Sequence, residues 1–355
     1  MSAKYFSATY AEARGKFRAA AEAVAASLFS YPVAADHCED LTIDVAVLGP
    51  STAPAVVTSS GVHGVEGFFG SAVQTGLLTQ MRATGLVSDL RHVLIHGVNP
   101  YGFSQLRRFN EGNVDLNRNF QLTPDSYRGF PAGYRELDYL LNPSTPPSKF
   151  EPFRLKAIGC ILRHGKQTLK QAIAGGQYEY PRGIFFGGRG PAESTRVIAA
   201  HCDDWIGDAP RVAHLDFHTG LGPFASYKLL LDDASHATGD SWYARAFGSD
   251  VVDAPSSSNP TAYATSGGFG EWLQQHFASR EYRFVTAEFG TYNVLRVLAA
   301  IRAENRAHHY GSQGDQTYRA AKAELVECFC PRDQDWRDKV IRGSQNIIAQ
   351  AAAAI

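Results

Sequence analysis

The chain has 355 residues, of which 44% are hydrophobic and 19% charged, so a sizeable core can be buried and a disordered chain is excluded. Lys plus Arg is 34 against 35 Asp plus Glu, a near-neutral balance that gives no electrostatic case for nucleic acid or an anionic membrane surface as partner. No stretch approaches the ~20 apolar residues of a membrane span, the polar, Ala-rich start lacks the apolar run of a signal peptide, and the five cysteines have no framework spacing, which fits reduced thiols in a cytoplasmic protein.

Apolar residues at helical intervals from Tyr5 to Leu28 predict an amphipathic first helix. Leu41 to Leu48 alternates as a strand does, and Ala53 to Thr58 reads as a buried strand ending in Ser59-Ser60-Gly61. Phe68 to Met81 reads as a helix, and His92 to Val98 as a strand closed by the turn signal Asn99-Pro100-Tyr101-Gly102. Asp115 to Arg128 is irregular. Phe150 to Ala174 is expected to be helical, Gly183 to Phe186 a short strand, and Ala192 to Ile206 a helix. Strands follow at Val212 to Phe217 and Lys228 to Leu231, then helices at Ser241 to Phe247 and Gly270 to Phe277, and an apolar strand at Arg283 to Glu288. Val294 to Glu304, Gln316 to Cys328 and Asp335 to Ala353 read as helices.

Strands alternate with helices throughout, and no low-complexity linker divides the chain. The expected fold is one α/β domain over 1–355, a three-layer sandwich with helices on both faces of its sheet. A helical N-terminal arm (about 1–35) and a helical C-terminal extension (about 305–355) flank it. The extension is free to cover the sheet edge or to make an oligomer contact.

Three separated stretches carry candidate chemistry. His63 and Glu66 lie three apart, just after a strand and at the start of a helix, so both side chains can reach one ion. A surface ion pair has the same spacing. His218 follows the apolar strand Val212–Phe217, at the carboxyl end where α/β sheets place ligands; a turn histidine is the plain alternative. Asp216 shares a strand face with His218 and is a candidate acceptor for its imidazole N–H. His92, His96 and His214 have no evident convergent partner and read as structural. Glu288 ends an apolar strand, where a carboxylate needs either a counter-ion such as an arginine or a task as a proton acceptor. Two histidines and one carboxylate match a catalytic zinc site, which leaves one coordination position open. The run from Arg107 to Phe120 is dense in arginine and asparagine, suited either to gripping carboxylates and oxyanions or to an Asx-turned solvated loop.

The ordered set His63-x-x-Glu66, Asn99-Pro100-Tyr101-Gly102, Arg108-x-Asn110, Asp115-Leu116-Asn117-Arg118-Asn119-Phe120, His218 and Thr286-x-Glu288 resembles the zinc metallocarboxypeptidase family, a group that also holds the succinylglutamate desuccinylase and aspartoacylase branch. The resemblance spans residues 63 to 288. It implies a mixed, mainly parallel eight-stranded sheet between helices. It implies one Zn²⁺ per chain held by His63, Glu66 and His218, with Glu288 as general base and acid. Arg108 would polarise the scissile carbonyl, and Asn117 and Arg118 would bind a terminal carboxylate. Tyr263 stands about where the family has a mobile pocket tyrosine, in a segment where an ordinary loop aromatic would also fit. The surround Asp216-Phe217-His218-Thr219 is closer to the acyl-amino-acid deacylases than to digestive carboxypeptidases.

The expected activity is zinc-dependent hydrolysis of an amide bond next to a free carboxylate. A carboxypeptidase acting on short peptides comes first and an N-acyl amino acid deacylase second. The rival from another class, an inactive zinc-binding or interaction protein on the same fold, predicts loss of a ligand or of the base, and none of the positions is lost.

Overall fold

A computed structural model describes residues 2–36, 38–85, 89–148, 150–164, 175–232, 241–253 and 267–355. Eight strands form one sheet: β1 Ser27–Pro32, β2 Thr42–Leu48, β3 Ala55–Ser60, β4 Arg91–His96, β5 Arg211–Thr219, β6 Tyr227–Leu230, β7 Val252–Asp253 and β8 Glu281–Phe289. Their order is β1-β2-β4-β3-β5-β8-β6-β7. The central run β4-β3-β5-β8 is parallel, as is β6-β7, while β1-β2, β2-β4 and β6-β8 are antiparallel. The sheet is therefore mixed and mainly parallel. Every residue of β2, β3 and β4 is buried, as expected of strands covered on both faces.

The helices needed below are α1 Tyr10–Glu22, α2 Gly67–Thr84, α3 Pro100–Ser104, α4 Tyr134–Leu141, α5 Phe153–His164, α6 Glu193–Ile206, α7 Trp242–Phe247, α8 Phe269–His276, α9 Val294–Tyr310, α10 Gln316–Phe329 and α11 Gln334–Ala354. Alternate residues of the inner strands β2, β3, β4, β5 and β8 feed two separate cores. Ala46, Leu48, Val56, Leu94, Leu215 and Ala287 pack with α1, α2 and α11 on one face. Val45, Val47, Val57, Val93 and Phe284 pack with α6 and α8 on the other. This is the three-layer α/β sandwich that the alternation of elements predicts. Among the described residues no helix is long and apolar enough to cross a membrane.

The chain departs from the sequence reading in two of the predicted elements, and a third is described only in part. The first helix stops at Glu22, and after Ala25, which takes a positive φ of 54°, the chain turns back as β1 along the outer edge of β2. Only one neighbour constrains β1, and its half-exposed residues lack the alternation that marks a strand. Gly183 to Phe186 forms no strand, only an isolated bridge between Gln177 and Phe186. Of the helix expected over Phe150 to Ala174, Phe153–His164 is observed and 165–174 lie outside the described residues.

Candidate active site

The site forms where β3, β5 and β8 end. After β3 the chain turns at Gly61, whose φ of 71° suits glycine, and His63 starts a 3₁₀ turn, Gly64–Glu66, that runs into α2. A side chain on Gly64 would lie 2.1 Å from the backbone of Gly102, so only glycine lets this turn dock on α3. The turn is pinned from below. Gly64 N–H and Val65 N–H donate to the carbonyls of Arg108 (3.1 Å) and Arg107 (2.8 Å). Asn99 caps α3 through its side-chain oxygen and donates from Nδ2 to the same Arg108 carbonyl at 3.1 Å. The Asn-Pro-Tyr-Gly turn and the arginine pair thus form one scaffold for His63 and Glu66.

His218 and Glu288 are register partners on the parallel strands β5 and β8, so their side chains leave the same face of the sheet. His63 Nδ1 lies 2.9 Å from Glu66 Oε1, His218 Nδ1 lies 3.0 Å from Glu66 Oε2, and the two Nδ1 atoms are 3.2 Å apart. Three donors bound tetrahedrally at 2.0–2.1 Å would stand about 3.3 Å from one another. The observed triangle is within a few tenths of an ångström of that figure, and two imidazoles with a carboxylate are the donor set zinc takes. Among the described residues, one other cluster, Cys202, Asp203 and His276, brings metal-type donors together. Two of its members are on the surface, and burial pushes the Cys202 thiol up to about 12.

The far nitrogen of each imidazole faces an aspartate. His218 Nε2 is 2.5 Å from Asp216 Oδ2, and His63 Nε2 is 3.1 Å from Asp115 Oδ1. Such partners fix the tautomer that leaves the inner nitrogen open. Arg108 is also at hand: its Nε donates to Asp115 Oδ2 at 2.9 Å, its Nη2 lies 2.6 Å from His63 Nε2, and its Nη1 is 3.5 Å from Glu66 Oε1. Without a cation, His63 can accept from Arg108 at Nε2 and donate from Nδ1 to Glu66. A cation on Nδ1 requires the other tautomer, with the Nε2 proton given to Asp115.

Burial alone would raise the Glu66 carboxyl, but the rings of His63 and His218 hold it below the usual range. Burial would lower His218, yet Asp216 and Glu66 hold its ring well above the ordinary imidazole value. Burial likewise opposes ionisation of Asp115, and Arg108 and His63 overcome it. Glu288 is the exception. Burial, reinforced by the charge of Glu66, pushes its carboxyl up to about 8 against the pull of His218, although its Oε1 accepts the Leu221 N–H at 2.8 Å. A carboxyl tuned to that range is suited to taking and returning a proton near neutral pH.

The outer expectations divide. Arg118 is buried, and its Nη1 donates to the Asn117 carbonyl at 2.6 Å; it lies near enough to help ionise Asp115. Asn117 has a structural duty that its sequence context did not signal, because its Oδ1 accepts the Phe269 N–H at the start of α8 (3.0 Å). Tyr263 lies outside the described residues.

Two residues escaped the sequence reading. Asp115 stands inside the Asp-Leu-Asn-Arg-Asn-Phe run but was given no task; its distance from the ligands in sequence hid its contact with His63. His214, read as lacking a partner, has two: Ser59 Oγ at 2.7 Å and Tyr282 OH at 2.7 Å. The signal was there in the two-residue spacing of His214, Asp216 and His218, which puts all three on one strand face.

In comparisons with known proteins, no curated protein matches the chain. Among solved structures it is similar to carboxypeptidase A from Helicoverpa armigera (14% identity, 92% of this chain and 74% of that one, TM-score 0.47). It is also similar to bovine thrombin-activatable fibrinolysis inhibitor in complex with tick carboxypeptidase inhibitor (13% identity, 99% and 98%, TM-score 0.47). A third is a Shewanella amazonensis SB2B protein whose metallopeptidase assignment is itself provisional (16% identity, 90% and 93%, TM-score 0.44). A protein family described as being of unknown function, DUF2817, matches residues 6–343, and the chain belongs to that family.

Proposed function

We propose that this chain is a zinc-dependent hydrolase that cleaves an amide bond next to a free carboxylate, acting as a carboxypeptidase on short peptides. One observation carries the reading: the inner nitrogens of His63 and His218 and the carboxylate of Glu66 meet within 3.2 Å of one another, each ring is backed by an aspartate, and Glu288 is the strand neighbour of His218. When bound by those three groups, zinc supplies Lewis acidity toward a carbonyl oxygen and makes a water molecule more acidic.

The chain's own residues then divide the remaining work. Glu288 takes the proton of the attacking water and returns it to the departing amine nitrogen, so the carboxyl ends the cycle as it began. Arg108, held in place by Asp115, presents a guanidinium to the negative charge that develops on the carbonyl oxygen. Arg118 provides the fixed positive charge for a substrate carboxylate, and Asn117 positions it through the backbone carbonyl that accepts its Nη1 proton. Asp216 and Asp115 hold the two imidazoles in the ligating tautomer.

The test is incubation of the protein with a ladder of short peptides and a panel of N-acyl amino acids, with zinc and with chelator. Release of C-terminal residues that stops on chelation supports the reading. Turnover of N-acyl amino acids in place of peptides would reassign the chain to the deacylases, consistent with the Asp-Phe-His-Thr surround of His218. A zinc-loaded protein inert toward both, or a fully active Glu288→Gln variant, would overturn the reading.

A further inference from the structure

We infer that Ser59, His214 and Tyr282 are positioning residues: a one-way chain of hydrogen bonds through the sheet that fixes Asp216, and through it the tautomer in which His218 can hold a metal. The inference rests on the zinc reading above.

The sheet register places the chain. His214, Asp216 and His218 alternate along one face of β5, Ser59 on β3 is the register partner of Asp216, and Tyr282 on β8 is the partner of Val212, two residues before His214. The contacts are short and continuous. Tyr282 OH lies 2.7 Å from His214 Nδ1, His214 Nε2 lies 2.7 Å from Ser59 Oγ, Ser59 Oγ donates to Asp216 Oδ1 at 2.6 Å, and Asp216 Oδ2 meets His218 Nε2 at 2.5 Å. All five side chains are buried.

Proton counting allows a single direction. An ionised Asp216 can only accept, so the single hydroxyl proton of Ser59 is spent on Oδ1. Ser59 must then accept from His214, which puts the imidazole proton on Nε2. A neutral imidazole has one N–H, so Nδ1 accepts from the Tyr282 hydroxyl. Burial, only partly offset by Asp216, lowers His214 to about 4 and keeps that ring neutral. At the other end both oxygens of Asp216 are committed, which leaves His218 to donate from Nε2 and to turn Nδ1 toward Glu66 and His63. The rings of Phe269 and Phe284 stand edge-on to His214 at 5.6 and 4.8 Å between centroids. An apolar residue would fit those surroundings at lower desolvation cost, so the polar chain calls for a task.

The test separates positioning from plain stability. Ser59→Ala and Tyr282→Phe each remove one link. Zinc affinity of the folded, metal-stripped protein is measured by chelator competition, the absorption of the cobalt-substituted protein reports ligand geometry, and urea unfolding without metal reports stability. The expected result is a zinc Kd raised about tenfold in Ser59→Ala and about threefold in Tyr282→Phe, within or below the range for outer partners of metal ligands, together with a shifted cobalt spectrum. If Ser59→Ala fails to fold, Tyr282→Phe, which deletes one oxygen, carries the test alone. Folded variants that bind zinc within twofold of the parent with an unchanged cobalt spectrum would overturn the inference, whatever stability they lose. A parent chain that takes up no zinc would instead overturn the hydrolase reading itself.

Discussion

Replacing Glu288 by Gln should stabilise the metal-free protein at alkaline pH, although Glu288 is the residue assigned the proton transfer. In the folded chain its carboxyl is pushed from 4.5 to about 8 by burial and by Glu66. The sign follows from linkage. Between those two values the folded state keeps a proton that the unfolded chain releases, so stability falls as pH rises through the window. At 1.36 kcal/mol per pKa unit the loss above pH 8 has a ceiling of roughly 5 kcal/mol, of which about 3 kcal/mol develops between pH 5.5 and pH 9. Gln has the same shape, keeps an oxygen for the Leu221 N–H, and cannot ionise. Urea unfolding of both proteins in chelator at a series of pH values is the assay. The variant should gain on the parent as pH rises, by up to about 3 kcal/mol over that interval. Parallel stability curves would refute the claim that this carboxyl is held protonated near neutrality.

Zinc binding should tighten about tenfold per pH unit below the His218 pKa and level off above it, because the ring is held charged by Asp216 and Glu66 and must surrender one proton to ligate; a chelator-buffered titration from pH 6 to 9 that came out flat would count against His218 as a ligand. Arg108→Lys keeps the charge but loses the fork on Asp115 and His63, so kcat on a peptide substrate should fall on the order of 10²-fold with little change in KM; a KM effect alone would move Arg108 to substrate binding. Glu304→Ala leaves Arg107 and Lys322 buried without their shared carboxylate and should cost roughly 3–5 kcal/mol in urea unfolding, and a loss under 1 kcal/mol would show that the network is solvated.

Much of the site was legible because its parts lie in short segments with strong local signals. His63 and Glu66 sit together in one turn, and Glu288 and His218 end apolar strands, so spacing and polarity mark them without knowledge of the fold. The strands that hold them are buried over most of their length and carry enough apolar residues between the polar ones to read as strands. What stayed hidden was carried by pairing between distant residues. Asp115 meets His63 across 52 positions and Ser59 meets Asp216 across 157. No periodicity in either segment encodes those partners; the register of β3 against β5 creates the second one. The edge strand β1 was missed for a related reason, since a strand with one neighbour and two exposed faces need not alternate.

The helices after residue 294 bear on the site more directly than their position beyond the recognisable motifs suggests. Glu304 and Asn305 of α9 and Lys322 of α10 enclose the Arg107 guanidinium: Arg107 donates to Glu304 at 2.9 Å and to Asn305 at 3.1 Å, and Lys322 donates to Glu304 at 2.6 Å. The carbonyl of that same Arg107 accepts the Val65 N–H in the turn between His63 and Glu66. Thr219, next to His218, donates its hydroxyl to the Phe329 carbonyl at the end of α10 (2.7 Å), and the Trp336 indole of α11 donates to the carbonyl of Gly290, two residues past Glu288 (2.9 Å). The ends of β5 and β8 are thus each tied to this region by a buried hydrogen bond, and the His63–Glu66 turn is tied to it through Arg107. A buried ionic cluster often stabilises no more than apolar packing of equal volume, but its directed hydrogen bonds to Glu304, Asn113 and Asn305 hold the placement of Arg107. Placement is what a centre with donors 2.9 to 3.2 Å apart needs, since a shift of half an ångström would take a ligand out of bonding range.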